Sequence, residues 1–239
     1  LKDQVDDIFT TIQVARVAEI KAVALSEIAQ ILAKKEELIR VSEVFKQAMI
    51  MLEVVGDHID ISGTLLKLVR PLVQVGKLDQ ASKLAQEVAS ANYQASALGE
   101  IAKVLAEMGD RVRAVEFINR TLSMSEAIIT RFSESKLDKV FILSKVVQAL
   151  VTLGDESRAS QIINKALDIA SDMEENSARV SALCILALEL AQSGDRNKAV
   201  RIANEALALA QPWLDEGKAL GKVIQTFAKM GAFDQALSA

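Results

Sequence analysis

The chain has 239 residues, of which 51% are hydrophobic and only 4% aromatic, and it carries a formal net charge of −4 with a pI of about 5.3. An acidic chain lacks the basic surface that phosphate binding requires, so we expect neither nucleic-acid nor anionic-membrane binding. The chain contains no apolar run near the roughly 18 residues needed to span a bilayer, and its single cysteine, Cys184, excludes an internal disulfide framework. These features predict a soluble, cytoplasmic protein.

A helix, a Gly-Asp break and a second helix recur along the chain, most clearly over residues 98–117. The copies align on a reference position whose spacings are 40, 33, 45, 40 and 37 residues: Glu36, Gly76, Gly109, Gly154, Gly194 and Gly231. Eleven residues before it, each copy has a leucine: Leu25, Leu65, Leu98, Leu143, Leu183 and Leu220. Five residues after it, the glycine-bearing copies have an alanine: Ala81, Ala114, Ala159, Ala199 and Ala236.

Two further apolar positions, eight and four residues before the reference position, complete the pattern. In the first copy they are Ile28 and Leu32. Offsets of three and four residues place all these side chains on one stripe of a helix, which is therefore predicted to be the buried face. The methyl group of the later alanine allows the second helix to lie close to the first.

In chain order, residues 3–15 are predicted to form a helix, which we interpret as a remnant of an earlier repeat. Six repeats are predicted to follow, over 20–55, 58–92, 93–131, 136–174, 176–211 and 212–239. The last of them is only partial. Pro71 falls inside a first helix, where it removes a hydrogen bond, so we predict a kink near Lys67. Because repeats bury their faces against neighbours, we expect a single domain over 1–239 that belongs to a larger protein.

The aspartates that directly follow three of the glycines can each accept a hydrogen bond from the start of the next helix. Asp110, Asp155 and Asp195 are accordingly predicted to be N-caps.

This pattern resembles the tetratricopeptide repeat (TPR), in which a large apolar residue, an aliphatic, a small residue, a turn glycine and a later alanine recur at fixed spacing. Leucine stands where the family often has an aromatic residue, the closing proline appears only as Pro212, and the repeats are longer than the usual length of roughly 34 residues. The resemblance implies an all-α, right-handed α-solenoid of about six antiparallel helix pairs, a long-helix variant of the family. It also implies a protein-interaction scaffold whose first helices line a concave surface.

Catalytic and metal-binding motifs are scarce. The only histidine is His58, so no nucleophilic triad with a histidine base can form elsewhere. Asp57, His58 and Asp60 include metal-ligand types, but a fourth group is lacking and aspartate at a repeat junction more commonly caps a helix. Cys184 lies in an apolar run and is interpreted as a packed thiol. We predict that the protein is not an enzyme and has no metal and no cofactor.

Two glycines, Gly99 and Gly221, stand alone inside predicted helices, away from any phosphate-binding glycine motif. They indicate either close helix packing or the approach of a ligand.

The predicted concave surface consists of the positions 13, 9, 6 and 2 residues before each reference position. These positions hold eight basic and three acidic residues in a chain that is acidic overall. A basic surface inside an acidic exterior would attract an acidic peptide or a C-terminal carboxylate. The predicted partner-binding residues are Lys67, Arg70, Gln74, Lys103, Lys145, Gln148, Ile185, Leu188 and Lys222.

Other interpretations remain open. The lysines can simply solvate an exposed helix face, with Ile185 and Leu188 in the core. The chain can instead self-associate, or act as an intramolecular regulatory module of a longer protein, through its unfinished ends. A more remote alternative is an RNA-binding helical repeat, against which the acidic pI argues.

Overall fold

The computed structural model describes residues 2–35, 37–55, 62–87, 90–128, 133–210, 218–232 and residue 236. Within these ranges all regular secondary structure is α-helical. The helices are α1 (Lys2–Lys34), α2 (Leu38–Val55), α3 (Ser62–Gln74), α4 (Leu78–Glu87), α5 (Ala91–Glu107), α6 (Arg111–Ala127), α7 (Ser133–Thr152), α8 (Glu156–Ser171), α9 (Asn176–Gln192), α10 (Arg196–Ala210) and α11 (Lys218–Lys229).

The turn between α5 and α6 explains why glycine and aspartate recur together. Gly109 has a φ of +80°, its N–H donates to the carbonyl of Ala106 at 3.0 Å, and the N–H of Asp110 donates to that of Leu105 at 2.9 Å. This is a Schellman motif, which ends a helix and favours glycine. The Asp110 carboxylate then accepts from the N–H of Arg113 at 3.1 Å. One dipeptide therefore ends α5 and starts α6.

The same turn recurs along the chain. Positive φ angles are found at all five turn glycines: Gly76, Gly109, Gly154, Gly194 and Gly231. Asp155 and Asp195 also accept a hydrogen bond from the N–H three residues later, at 3.1 and 3.0 Å. The predicted N-caps are confirmed at all three aspartates.

The apolar stripe is buried in the later helix pairs. The side chains that pack between first helices are Leu65, Leu68, Leu98, Ile101, Leu143, Val146, Leu183, Leu186 and Phe227. The alanines five residues after a turn glycine are fully buried at Ala81, Ala114, Ala159 and Ala199. Their methyl groups occupy the contact between the two helices of a pair, as the spacing predicts.

The first helix pair differs from this register. Ile28, predicted to be core, is 44% exposed, whereas Ala22, Ala29 and Ala33 are buried. The buried stripe of α1 is therefore built mainly from alanines, which let α2 approach closely. The sequence pattern is weakest here, since Glu36 replaces the turn glycine.

The helix at the start of the chain is also longer than expected. The sequence predicts a separate helix over 3–15 and a repeat beginning near residue 20, but α1 runs without interruption from Lys2 to Lys34. No glycine or proline lies between these two segments to end a helix.

The order of contacts defines the architecture. Each first helix packs against the next one, in the order α1, α3, α5, α7, α9 and α11, and each second helix packs against the first helices on either side. The two ends of this described array, α1 and α11, do not meet. The described helices form an open stack rather than a closed bundle, which is the arrangement of an α-solenoid.

Candidate binding surface

The predicted partner-binding residues all lie on first helices of the stack. Because these helices are neighbours, their side chains form one continuous surface, which we call the first-helix face. Lys222 is exposed, and the other predicted residues are half-buried. Half-burial of so many polar side chains suggests that they have partners within the chain.

Lys67 at the α3 end of this face is paired with α1. Its Nζ lies 3.1 Å from Glu27 Oε1, and the two side chains are 41% and 60% exposed. The backbone carbonyl of Lys67 accepts a hydrogen bond from Gln30 Nε2 at 3.0 Å.

The centre of the face is an ion-pair network around Glu100, which we call the Glu100 cluster. Arg70 Nε on α3 donates to Glu100 Oε1 at 2.7 Å, and its Nη1 donates to Glu107 Oε2 at 2.9 Å. Lys145 Nζ on α7 lies 2.9 Å from Glu100 Oε2. The fifth member, Lys103, is 4.0 Å from Glu107. Carboxylates of α5 thus connect the first helices of three successive pairs.

The positive charges control the ionisation of Glu100. Burial acts to raise the pKa of this carboxyl, but the charges of Lys145 and Arg70 outweigh it and hold the pKa below its usual value. Arg70 is likewise desolvated, yet its pKa is raised because Glu107 and Glu100 hydrogen-bond and attract the guanidinium. Glu100 and Arg70 are therefore both charged at neutral pH.

Lys103 is the least compensated cation of the Glu100 cluster. Burial, followed by the nearby charge of Lys145, lowers its pKa. Its closest carboxylate, Glu107, is already held by Arg70 at shorter range. Lys103 thus has a charge that neighbouring groups stabilise poorly.

Gly99 brings α5 and α7 close enough for this network to form. A Cβ at this position would lie 3.0 Å from the Cβ of Lys145, whereas one at Gly221 would meet no atom within 4 Å. Of the two alternatives left open for these glycines, close helix packing holds at Gly99, and Gly221 lies beside open space.

A second carboxyl, Glu189 on α9, is buried beside the face. It is only 3% exposed, and its Oε1 accepts from Gln148 Nε2 at 2.6 Å. Glu189 Oε2 and Gln148 Oε1 are both buried and have no hydrogen-bond partner. Burial raises the pKa of Glu189 to about 7, although the Gln148 hydrogen bond and the charges of Lys103 and Lys145 oppose the shift. A proton on Glu189 would supply a donor to this acceptor-rich pair.

The remaining predicted residues are described by their contacts with the core and with neighbouring helices. Ile185 and Leu188 pack against the core, which favours the alternative interpretation of these two side chains. Lys222 Nζ donates to Ser181 Oγ at 2.7 Å, and Gln74 Oε1 is buried without a hydrogen-bond partner.

Sequence reasoning missed Glu189 and the extent of pairing on the face. The available signal was an acidic residue within the apolar run of residues 182–191. Such a residue needs a partner, and here that partner comes from the preceding first helix.

Outside this face, the described residues offer little for other chemistry. Cys184 is buried as predicted, and burial raises the pKa of its thiol. No group of three or more histidine, cysteine, aspartate or glutamate side chains within the described ranges is arranged to hold a metal ion. Asp57, His58 and Asp60 lie outside those ranges. None of the described helices combines the length and apolarity needed to cross a membrane.

Comparison with known proteins finds solved structures of similar fold but no close relative. No protein-family model and no curated protein match the chain. A solved structure of Ton1535 from Thermococcus onnurineus NA1 matches 90% of this chain and 55% of its own, with 19% identity and a TM-score of 0.51. A Podosopora anserina structure, described as a kinesin light chain with nearly identical TPR-like repeats, matches 80% of this chain and 95% of its own, with 14% identity and a TM-score of 0.49.

The helix pairs, their turns and their order of packing together define the class. The chain has the fold of a TPR-like α-solenoid.

Proposed function

We propose that this protein is an interaction scaffold that binds a protein or peptide segment bearing a carboxylate on its first-helix face. Lys103 is the main contact for that carboxylate. The proposal is supported by the TPR-like repeat fold, which generally serves binding rather than catalysis. The observation that carries it is the poorly compensated charge of Lys103.

The other cations at the centre are less available. Arg70 and Lys145 already bind Glu100 at 2.7 and 2.9 Å, and a partner could use them only by breaking these pairs. A carboxylate beside Lys103 instead adds a favourable interaction without removing one. It also offsets the repulsion between Lys103 and Lys145.

The proposal requires a probe of known charge, because the natural partner is unidentified. A fluorescein-labelled 12-residue peptide of alternating glutamate and alanine is titrated with the protein, and binding is followed by fluorescence anisotropy at several salt concentrations. Lys103→Gln is expected to weaken binding by about tenfold and reduce its salt dependence, as loss of a charge-assisted hydrogen bond does.

Lys83→Gln is the matched control, since Lys83 is an exposed lysine on the second helix α4. It is expected to leave binding unchanged. Equal affinity of wild type and Lys103→Gln for the glutamate-alanine peptide would show that Lys103 is not part of the binding site. Equal affinity of the wild type for a lysine-alanine peptide would show that the site does not select an acidic partner.

A second candidate function is self-association through α1 and α2. Two adjoining cavities of about 470 and 340 Å³ share Lys21 and Met51 and form a groove between these helices. The aliphatic side chains exposed on the two helices are Val14, Val17, Ile20, Ile28, Ile31, Ile39, Ile50 and Val54. Exposed apolar surface of this extent marks interaction sites. A second copy of the chain could cover it, because two-fold pairing would bury both grooves at once.

Sedimentation equilibrium tests this candidate. Val17→Glu and Ile50→Glu, which both place a charge in the groove, are expected to convert a dimer to a monomer. Val112→Glu is the control, since Val112 is an exposed aliphatic residue on α6. A wild-type protein that is monomeric at all concentrations contradicts self-association.

A further inference from the structure

A small cavity opens between the first helices α3, α5 and α7, beside the Glu100 cluster. Its volume is about 210 Å³, and the residues that matter for its chemistry are Leu66, Tyr93, Ser96, Asp138, Phe141 and Ile142. Cavities that enclose drug-sized ligands usually measure roughly 300–1,000 Å³. This one has room for a single large side chain.

The walls of the cavity favour an aromatic occupant. Tyr93 and Phe141 are 38% and 40% exposed, although most large apolar side chains of these helices are buried. Two aromatic rings at the edge of a cavity can contact a third ring in edge-to-face geometry, a favourable arrangement of their quadrupoles. Leu66 and Ile142 add aliphatic surface.

Ser96 supplies a hydroxyl that has no partner. It lines the cavity and is 4% exposed, and its Oγ makes no hydrogen bond. Other buried serines behave differently, because Ser125, Ser144 and Ser181 each donate to a carbonyl three or four residues earlier in the same helix. A buried hydroxyl without a partner is costly, and a ligand that bonds to it removes that cost.

Asp138 gives the cavity a negative rim. Its Oδ2 accepts from Asn92 Nδ2 at 2.7 Å, which holds the carboxylate in place. A carboxylate at the rim accepts hydrogen bonds and disfavours an anionic occupant.

We propose that this cavity receives a tyrosine side chain of a partner segment bound on the first-helix face. The ring packs between Tyr93 and Phe141, and the phenolic hydroxyl forms a hydrogen bond with Ser96 Oγ. The inference rests on the proposed function, because Ser96 and Phe141 belong to that face. Phenylalanine would leave the Ser96 hydroxyl unpaired, and phosphotyrosine would meet the charge of Asp138.

The test uses N-acetyl-tyrosinamide as the probe and follows backbone amide signals of the ¹⁵N-labelled protein by NMR. Saturable shifts are expected at Ser96 and Phe141 and their neighbours. N-acetyl-phenylalaninamide is expected to bind about two- to tenfold more weakly, the value of one neutral hydrogen bond. The phosphotyrosine analogue is expected not to bind.

Ser96→Ala isolates the role of the hydroxyl. This variant is expected to keep the fold, checked by circular dichroism, and to lose the preference for tyrosine over phenylalanine. Three outcomes would each overturn the proposal. N-acetyl-argininamide could bind more tightly than N-acetyl-tyrosinamide, the amide shifts could be confined to other regions, or the preference for tyrosine over phenylalanine could survive Ser96→Ala.

The outcome can be separated from that of the acidic-peptide experiment. Lys103→Gln is expected to leave the tyrosinamide titration unchanged, and Ser96→Ala is expected to leave binding of the glutamate-alanine peptide unchanged. Loss of tyrosinamide binding in Lys103→Gln would show that the cavity is not an independent subsite.

Discussion

The side-chain amide of Gln30 donates a 3.0 Å hydrogen bond to the backbone carbonyl of Lys67. Lys67 is the residue whose carbonyl loses its intrahelical partner because Pro71, four residues later, has no N–H. A side chain of α1 thus satisfies a backbone group of α3. The kink near Lys67 remains a prediction. The effect of Pro71 that the structure shows is the transfer of the Lys67 carbonyl from an intrahelical partner to the Gln30 side chain.

Removing this amide should expose its contribution to stability. Gln30→Ala leaves the Lys67 carbonyl without its partner and is expected to lower the free energy of unfolding by about 1–2 kcal/mol. In a Pro71→Ala background the new N–H can bond to the carbonyl, so the same substitution is expected to cost less. Urea denaturation of the four proteins in this double-mutant cycle measures the difference.

Gln47→Ala, on the exposed surface of α2, is the control and is expected to have little effect. An equal cost of Gln30→Ala with and without Pro71 would show that the hydrogen bond does not compensate for the proline.

A second prediction concerns the two isolated helix glycines. Gly99→Ala places a methyl 3.0 Å from the Cβ of Lys145 and is expected to destabilise the protein by about 1–3 kcal/mol, since α5 and α7 must separate. Gly221→Ala meets no neighbour and is expected to stabilise by up to about 1 kcal/mol through helix propensity. Thermal and urea unfolding of both variants measure the sign of each change in the free energy of unfolding. The same sign for both would contradict this account of Gly99.

The repeated helix pairs were predictable because a glycine and an alanine obey local steric rules. Gly109 and its equivalents adopt positive φ, and Ala114 and its equivalents occupy a close helix contact, so both residues recur at fixed spacing. The rule fails in the first pair. There the turn position is Glu36, and α1 buries a row of alanines that the leucine-based register does not anticipate.

The face was predictable as a set of positions but not as a set of contacts. Arg70, Lys103 and Lys145 occupy first helices as expected. Lys103 lies near Glu107 of its own helix, but the carboxylate partners of Arg70 and Lys145 come from a neighbouring repeat, as with the 30 residues that separate Arg70 from Glu100. The rotation between successive repeats determines such pairs, and local sequence spacing does not encode it.

Glu100 should stabilise the protein only while it is ionised. Its folded pKa lies below its ordinary value, so its contribution is present above the unfolded pKa and is lost as pH falls through the folded pKa. Glu100→Gln is expected to cost about 1–3 kcal/mol at pH 7, because Arg70 and Lys145 lose a charged partner. The difference from wild type should shrink below about pH 4, as measured by urea unfolding at each pH.

Glu126→Gln is the matched control for Glu100→Gln. Glu126 also pairs across repeats, with Lys165 at 3.0 Å, but this pair is largely exposed. Solvent screening leaves exposed ion pairs with little effect on stability, so the control should have a small effect. Similar costs for both variants would indicate that burial of the Glu100 cluster is unimportant.

Glu189 should have the opposite pH dependence. Its folded pKa of about 7 lies above the unfolded value of 4.5, so the folded state holds an extra proton between these pH values. Stability from this group is therefore greatest below the unfolded pKa and is lost as pH rises through about 7. Glu189→Gln keeps an acceptor for Gln148 Nε2 and adds N–H donors for the pair without adding a charge.

Glu189→Gln is accordingly expected to match wild type near pH 5 and to be more stable at pH 8, by up to about 3 kcal/mol. Urea unfolding at pH 5, 6, 7 and 8 measures this, with the exposed Glu174→Gln as a control that should not change the pH dependence. A Glu189→Gln variant less stable than wild type at pH 8 would mean that the charged carboxylate, held by Lys103 and Lys145, is the preferred form. In that case the two buried carboxyls beside the first-helix face would respond to pH in the same direction.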